Sequence, residues 1–271
     1  MSVAADRALA THLLEVATGA AADVGPYLRG SFAAGVASET KADRHDLVTE
    51  CDRRSEEIIR EHIFRLHPDS TFVGEEGGRR GNGTVVWYVD PVDGTNNFAH
   101  GIPFFCVSIA AVGDGEVLAA AVLDPIRDEL FTATPEGAFL NGRPIRSSGH
   151  PNESAALLLT DFPRPRAQPA PGDYELFARL VTGFAVVRRL GCGALSLAYV
   201  ASGRADACFL THAGPWDVAA GLLLVERAGG RYHPLATPGA SVDASPWAHE
   251  RAIATCREFD LAASPLAALL G

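Results

Sequence analysis

The 271-residue chain has no basic surplus. Lys and Arg together number 23 against 33 Asp and Glu, a formal net charge of −10. Nucleic-acid binding through a broadly basic surface is therefore not expected, and an anionic ligand would need a local device, such as bound cations, to offset the general repulsion. Cysteine is sparse and scattered: Cys51, Cys106, Cys192, Cys208 and Cys256 are odd in number and show no C-x-x-C spacing. That pattern argues against a disulfide framework or a zinc motif and fits reduced thiols in a cytoplasmic protein. Long apolar runs are missing too. Val117–Leu123 is too short to span a bilayer, and Met1 to Ala10, with Asp6 and Arg7 among small residues, lacks the basic start and apolar core of a signal peptide. The expectation is a cytoplasmic protein with neither a membrane nor a nucleic-acid partner.

What is present is an ordinary globular balance, 47% hydrophobic and 21% charged, in a chain long enough for one large domain or two moderate ones. Leu9, Leu13, Leu14 and Val16 predict an amphipathic first helix over 3–32, kinked or ended at Gly25-Pro26. Residues 36–44 read as a turn or short strand pair. A second helix runs to Arg65, with Thr49 as N-cap and His67-Pro68 as its stop. Thr71–Val73 is a strand, followed by Gly74-Glu75-Glu76-Gly77-Gly78 and a flexible loop to Gly83. Strands then alternate with the hairpin turns Asp114-Gly115 and Asn141-Gly142. The expected division is 1–146, an α+β half with two helices against an antiparallel sheet, and 147–271, an α/β half ending in a helix from Phe259 to Leu270.

The most informative stretch is Trp87-Tyr-Val-Asp90-Pro-Val-Asp93-Gly94-Thr95-Asn-Asn-Phe98. A run of strand-formers leads into two carboxylates separated by a proline-bearing turn, and Gly94 allows a ligand close to the backbone. Glu75 and Glu76 follow another strand, and Asp217 sits near the start of a helix after Gly214-Pro215. If these acids converge, their like charges cannot stay buried unpaired. Oxygen-only ligands would then select Mg²⁺, Ca²⁺ or Mn²⁺ over Zn²⁺. Taken alone, each stretch reads equally well as a solvated acidic turn, and Asp46 and Asp52 as residues that cap the second helix.

Together the stretches resemble the inositol monophosphatase family of metal-dependent, lithium-sensitive phosphatases. The signatures are the 87–98 stretch, Trp216-Asp217-Val-Ala-Ala-Gly221 with Glu226-Arg-Ala-Gly229-Gly230, Gly74-Glu75-Glu76, and Asp46-Leu-Val-Thr49-Glu-Cys-Asp52, in the family's order. The resemblance implies a five-layer α-β-α-β-α sandwich, a homodimer, and two Mg²⁺ per subunit with a weaker third. Carried over by motif, Glu75 and Asp90 with the Val92 carbonyl hold the first metal. Asp90, Asp93 and Asp217 hold the second. Asp52 and Thr95 orient and deprotonate the attacking water, with Glu75 as the remaining catalytic acid, and the amides of Gly94 and Thr95 hold phosphate. Asp93, Ala194 and Asp217 complete the expected substrate contacts. Lys41 matches a substrate-side lysine of some relatives, and Glu76 supports the Thr95 region.

Two positions depart from the pattern. Leu210 stands where relatives that hydrolyse inositol phosphates carry a sugar-binding glutamate, and Ser196 stands where several place an aspartate. A sugar or polyol phosphate such as inositol-1-phosphate is the first expectation for the substrate. Histidinol phosphate comes next, with fructose-1,6-bisphosphate and nucleoside bisphosphates as further options. Thr211, His212 or the Arg164–Arg166 loop would supply the missing contacts. The alternatives to an enzyme are a regulatory protein that kept the fold, opposed by the complete acid set, and a calcium module, opposed by the absence of EF-hand ligand alternation.

Overall fold

The computed structural model describes residues 3–34, 38–40, 47–163, 172–236 and 245–270. Lys41, Asp46 and the Arg164–Arg166 loop lie outside the described residues. Helix α1 (Val3–Ala34) is followed by the strand pair β1 (Ser38–Thr40) and β2 (Leu47–Thr49), then helix α2 (Glu50–Leu66). Strands β3 (Ser70–Gly74), β4 (Gly78–Gly81) and β5 (Val85–Asp93) lead into the short helix α3 (Thr95–Ala99). The meander β6 (Cys106–Gly113), β7 (Glu116–Asp124), β8 (Glu129–Thr134), β9 (Gly137–Leu140) and β10 (Arg143–Pro144) completes an eight-stranded sheet ordered β10-β9-β8-β7-β6-β5-β3-β4. Asp114-Gly115 and Asn141-Gly142 take positive φ, as two-residue hairpin turns require.

The second sheet holds β11 (Leu157–Thr160), β12 (Val186–Arg188), β13 (Ala207–Leu210), β14 (Arg231–Leu235) and β15 (Arg251–Thr255), in the order β12-β11-β13-β15-β14. Its helices are α4 (Asp173–Gly183), α5 (Gly193–Ala201) and α6 (Pro215–Arg227). Strands β12, β11 and β13 are parallel. The layers follow from which faces are apolar. α1 and α2 bury Leu13, Val16, Val24, Ile59 and Ile63 against one face of the large sheet. α5 and α6, apolar nearly all round, are enclosed between the two sheets. α4 and the C-terminal turns cover the outer face of the small sheet. The result is the expected α-β-α-β-α sandwich. No helix of the described residues is long and apolar enough to cross a membrane.

Four local expectations are corrected. α1 runs through Gly25-Pro26 without ending; Pro26 is exposed, so the freed carbonyl faces solvent, while Val24 and Leu28 stay buried on the other side. The expected loop before Gly83 contains β4, paired with β3. The large sheet is mixed, because β3 and β5 are parallel. The C-terminal helix is replaced by two 3₁₀ turns, Leu261–Ala263 and Pro265–Leu269. Asp260 accepts from the Ala263 amide and Ser264 from the Leu266 amide, restarting the chain at Pro265.

The buried helix layer depends on close approach. A Cβ at Gly221 of α6 would lie 2.4 Å from Leu197 Cδ1 and 2.5 Å from its Cβ on α5. Gly221→Ala should destabilise the fold by about 1–3 kcal/mol through overpacking, read from the urea midpoint. Gly30→Ala, in α1 with nothing within 4 Å, should stabilise by roughly 0.5–1 kcal/mol. Equal midpoints for the two variants would remove helix approach as the constraint.

Candidate active site

β5 does not end before its two acids, as the sequence reading expected; it carries them. Asp90 pairs with Ser108 and Asp93 with Cys106, so three steps on β5 face two on β6, with a register shift between. In a regular strand residues three apart point to opposite faces. The extra residue of the bulge brings Asp90 and Asp93 to the same side, and Pro91 is tolerated there because bulges free a ladder amide. The Val92 amide donates to Asp90 Oδ1 at 2.9 Å, fixing that side chain against its own backbone. Gly94 then turns the chain with φ 98°, and a Cβ there would meet the Phe104 carbonyl at 3.1 Å and Phe105 Cβ at 3.2 Å. Only glycine fits both conditions. The turn is pinned by Phe98 against Phe105 and by Asn97, whose Nδ2 donates to the Phe104 and Leu190 carbonyls, each at 2.7 Å.

Asp217 arrives from the second half. Pro215 opens α6, and Asp217 Oδ2 accepts the Gly214 amide at 2.6 Å, capping its own helix. Ser108 of β6 donates to the Trp216 carbonyl at 2.8 Å, tying the helix start to the strand opposite Asp90. Oxygens of Asp90, Asp93 and Asp217 lie within 4.8 Å of one another. Glu75 is delivered by the turn after β3, whose shape rests on Glu56 of α2. The Glu56 carboxylate accepts the amides of Glu76 and Gly77, each at 2.9 Å.

These groups line a cleft of about 580 Å³, with Glu75, Asp90, Val92, Asp93, Gly94, Thr95 and Asp217 on its wall. Ala194 lies behind the wall: its amide donates to Asp93 Oδ2 at 2.6 Å. The Thr95 hydroxyl donates to the Val92 carbonyl at 3.1 Å. Asp52 is buried in the first turn of α2 and is not part of the cleft wall; neither is Glu76. Ser196, Leu210 and His212 do line the cleft, and Thr211 instead holds Asp161.

The electrostatics are those of a site short of positive charge. Burial pushes Asp90 well above the usual carboxylate range, reinforced by Glu75, Asp93 and Asp217. Burial also raises Asp93, against the lowering effect of the Ala194 amide, the Cys192 thiol and the Gly193 amide. Glu75 is pushed up to about 8 by loss of water, then by Asp217 and Glu76. Asp90 is buried, whereas Glu75 keeps contact with solvent. An all-oxygen, mutually repelling donor set fits hard divalent cations.

Two residues of the cleft escaped the sequence reading. Asp161 and Arg189 each immediately follow a parallel strand, β11 and β12, and Thr211 follows β13 in the same way. Ligands gather at the carboxyl ends of parallel strands, so a parallel assignment of these strands would have marked all three positions. Thr211 donates both its amide and its hydroxyl to Asp161, each at 2.9 Å. Arg189 donates to the Asp161 and Pro163 carbonyls at 3.2 and 2.7 Å.

A folded-state pKa raised above its unfolded value means that the folded state holds the proton longer. For Glu75, raised from 4.5 to about 8, the associated stability is present below about pH 4.5 and is lost as pH rises toward 8. Asp90 and Asp93 act in the same sense. Metal-free protein should therefore lose Tm between these values, and added Mg²⁺ should suppress the loss by holding the ionised form. A Tm that rises over this window without metal would contradict the charge arrangement.

Comparison with known proteins agrees with this geometry. The profile described as the inositol monophosphatase family matches residues 9–259. The chain is 44% identical over 189 residues to "Nus factor SuhB" of Xylella fastidiosa, covering 69% of this chain and 68% of that protein. It is 43% identical over 189 residues to "Inositol-1-monophosphatase" of Rhizobium meliloti, covering 68% and 71%. The solved structure of inositol monophosphatase from Anabaena (Nostoc) superposes with a TM-score of 0.80 at 34% identity, covering 96% of each chain. By sequence over nearly its whole length, and by fold, this chain belongs to the inositol monophosphatase family.

Proposed function

We propose that the protein is a Mg²⁺-dependent phosphomonoesterase that hydrolyses a small phosphorylated metabolite, inositol-1-phosphate or another sugar or polyol phosphate, by direct attack of water. The observation that carries this reading is the convergence of Asp90, Asp93 and Asp217 at the wall of one cleft, next to the Gly94–Thr95 turn. Glu75, Asp90 and the Val92 carbonyl would hold one ion, and Asp90, Asp93 and Asp217 the other. Bound there, such ions lower the pKa of nearby water and neutralise charge on a phosphoryl group. The Thr95 hydroxyl, its proton directed at the Val92 carbonyl, keeps lone pairs to accept from a water. Thr95 orients that water at the cleft wall, and Asp52, buried off the wall in the first turn of α2, acts through Thr95 as the acceptor of its proton. The Gly94 and Thr95 amides hold the phosphate oxygens. A bond forms from water oxygen to phosphorus, the bond to the substrate oxygen breaks, and the leaving alkoxide takes a proton. No side chain is needed as a covalent nucleophile.

Specificity lies at the other wall. Leu210 is apolar and nearly buried, so it offers nothing to sugar hydroxyls. Asp161 beside it is a half-buried acid at the cleft wall, able to accept from substrate hydroxyls or face an ammonium. That observation keeps histidinol phosphate as the second substrate, ahead of bisphosphates. The name of the Xylella fastidiosa relative points to a further reading, a role in transcription. The net charge of −10 favours a protein partner over direct nucleic-acid contact in that case. A homodimer is part of the same proposal.

Phosphate release with Mg²⁺, screened over inositol-1-phosphate, histidinol phosphate, fructose-1,6-bisphosphate and adenosine bisphosphate, should show turnover on the first or second. Background rates on all four would defeat the reading. Asp93→Asn should lower kcat by about a thousandfold or more, the several kcal/mol expected for losing a metal-holding charge, with circular dichroism unchanged. A near-normal rate would remove Asp93 from the machinery.

A further inference from the structure

Behind Asp93 stand two thiols that the proposed reaction does not use. Cys106 is the cross-strand partner of Asp93 on β6, and Cys192 is the residue before α5. Far apart in the sequence, they show no metal-binding spacing, but the fold brings their sulfurs to 3.6 Å. Cys192 Sγ donates to Asp93 Oδ2 at 3.2 Å, and Cys106 Sγ lies 4.0 Å from the same oxygen. An ion bound tetrahedrally at about 2.3 Å from sulfur and 2.0–2.2 Å from oxygen needs ligand atoms about 3.8 Å apart for two sulfurs and about 3.5 Å for sulfur and oxygen. The triangle in the protein, with sides of 3.6, 3.2 and 4.0 Å, comes within about half an ångström of these dimensions before any ion enters.

We propose that Cys106, Cys192 and Asp93 form a binding site for a thiophilic divalent cation of the zinc or cadmium class. The site shares Asp93 with the Asp90–Asp93–Asp217 set but differs from it in donor chemistry. Two sulfur donors select soft or borderline ions and are poor ligands for Mg²⁺. The exchange also balances. Two S–H protons leave to solvent as one divalent ion enters between two thiolates and the carboxylate, so the net charge of the group stays at −1. A buried pocket therefore acquires the ion without an added net charge. Entry is from the cleft, where Cys192 forms part of the wall, and water from the cleft supplies the fourth ligand, as in open tetrahedral sites.

The consequence for activity rests on the proposed phosphatase reading; binding itself does not. Because Asp93 belongs to both sets, a soft ion on the thiols draws its carboxylate away from the hard-cation site and opposes the Mg²⁺-dependent reaction. Zinc or cadmium would thus inhibit from behind the active site.

The test uses the full-length reduced protein with Mg²⁺ present. Added Cd²⁺ should produce a sulfur-to-cadmium charge-transfer band that saturates at a single ion per chain. The band should vanish in Cys106→Ser and in Cys192→Ser and persist in Cys51→Ser. No band in the wild-type protein, or a band retained in both of the first two variants, would overturn the proposal. If those variants do not fold, X-ray absorption of the zinc-loaded wild-type protein decides. Two sulfur scatterers at about 2.3 Å support the site, and a shell of oxygen and nitrogen alone refutes it. Phosphate release measured alongside should show Cd²⁺ inhibition weakened about tenfold or more in Cys106→Ser, since even outer-shell losses cost ~10–100-fold in metal affinity. Unchanged potency there would sever the link between this site and activity, and failure of all phosphatase activity would leave the spectroscopic result to stand on its own.

Discussion

The structure is arranged around a charge problem: Asp90, Asp93 and Asp217 bring their oxygens within 4.8 Å of one another, two of them buried. Carboxylates in this position resist ionisation, as the raised Asp90 and Glu75 show, unless cations offset them. The fold spends several local devices on holding them together. A bulge in β5 turns two acids to one face. A self-capped helix presents the third. A buried Glu56 shapes the turn that carries Glu75. None of these devices relieves the repulsion, so the arrangement makes physical sense as the protein half of a hard-cation site.

Asp93 is the joint between the two halves of the chain. It lies on the large sheet, yet its Oδ2 accepts the Ala194 amide of α5, a helix enclosed between the sheets. Ser108 makes the reciprocal link from the large sheet to Trp216, at the start of α6. Because α5 and α6 meet at Gly221 and Leu197, their spacing also sets the distance between these two anchors. Packing in a helix layer thereby acts on the geometry of the carboxylates. The same closeness places Cys106 and Cys192 against Asp93, joining a soft-donor pair to the hard-donor cluster.

Much of this was legible from residues alone. The hairpin turns at Asp114-Gly115 and Asn141-Gly142 announced themselves, because few residue pairs tolerate two positive φ values in succession. The acids of the cleft wall were found through ordered motifs, each weak by itself. The bulge was not legible: Asp90-Pro91 reads as a turn until the β6 register supplies the missing count. Asp161 and Arg189 were passed over because their meaning depends on β11 and β12 being parallel, a long-range fact. The thiol pair was invisible for a related reason, since spacing rules see local motifs whereas Cys106 and Cys192 meet only through tertiary structure. Pro26 misled in the other direction: a proline on the wet side of a helix held by Val24 and Leu28 does not end it.

The central claim, that the carboxylate cluster is a hard-cation site, is most directly tested by anomalous diffraction from crystals grown with Mn²⁺. The account predicts density in the cleft bonded to Asp90 and to at least one of Asp93 and Asp217. Saturating Mn²⁺ with no peak at these residues, or a peak only elsewhere on the molecule, would contradict it.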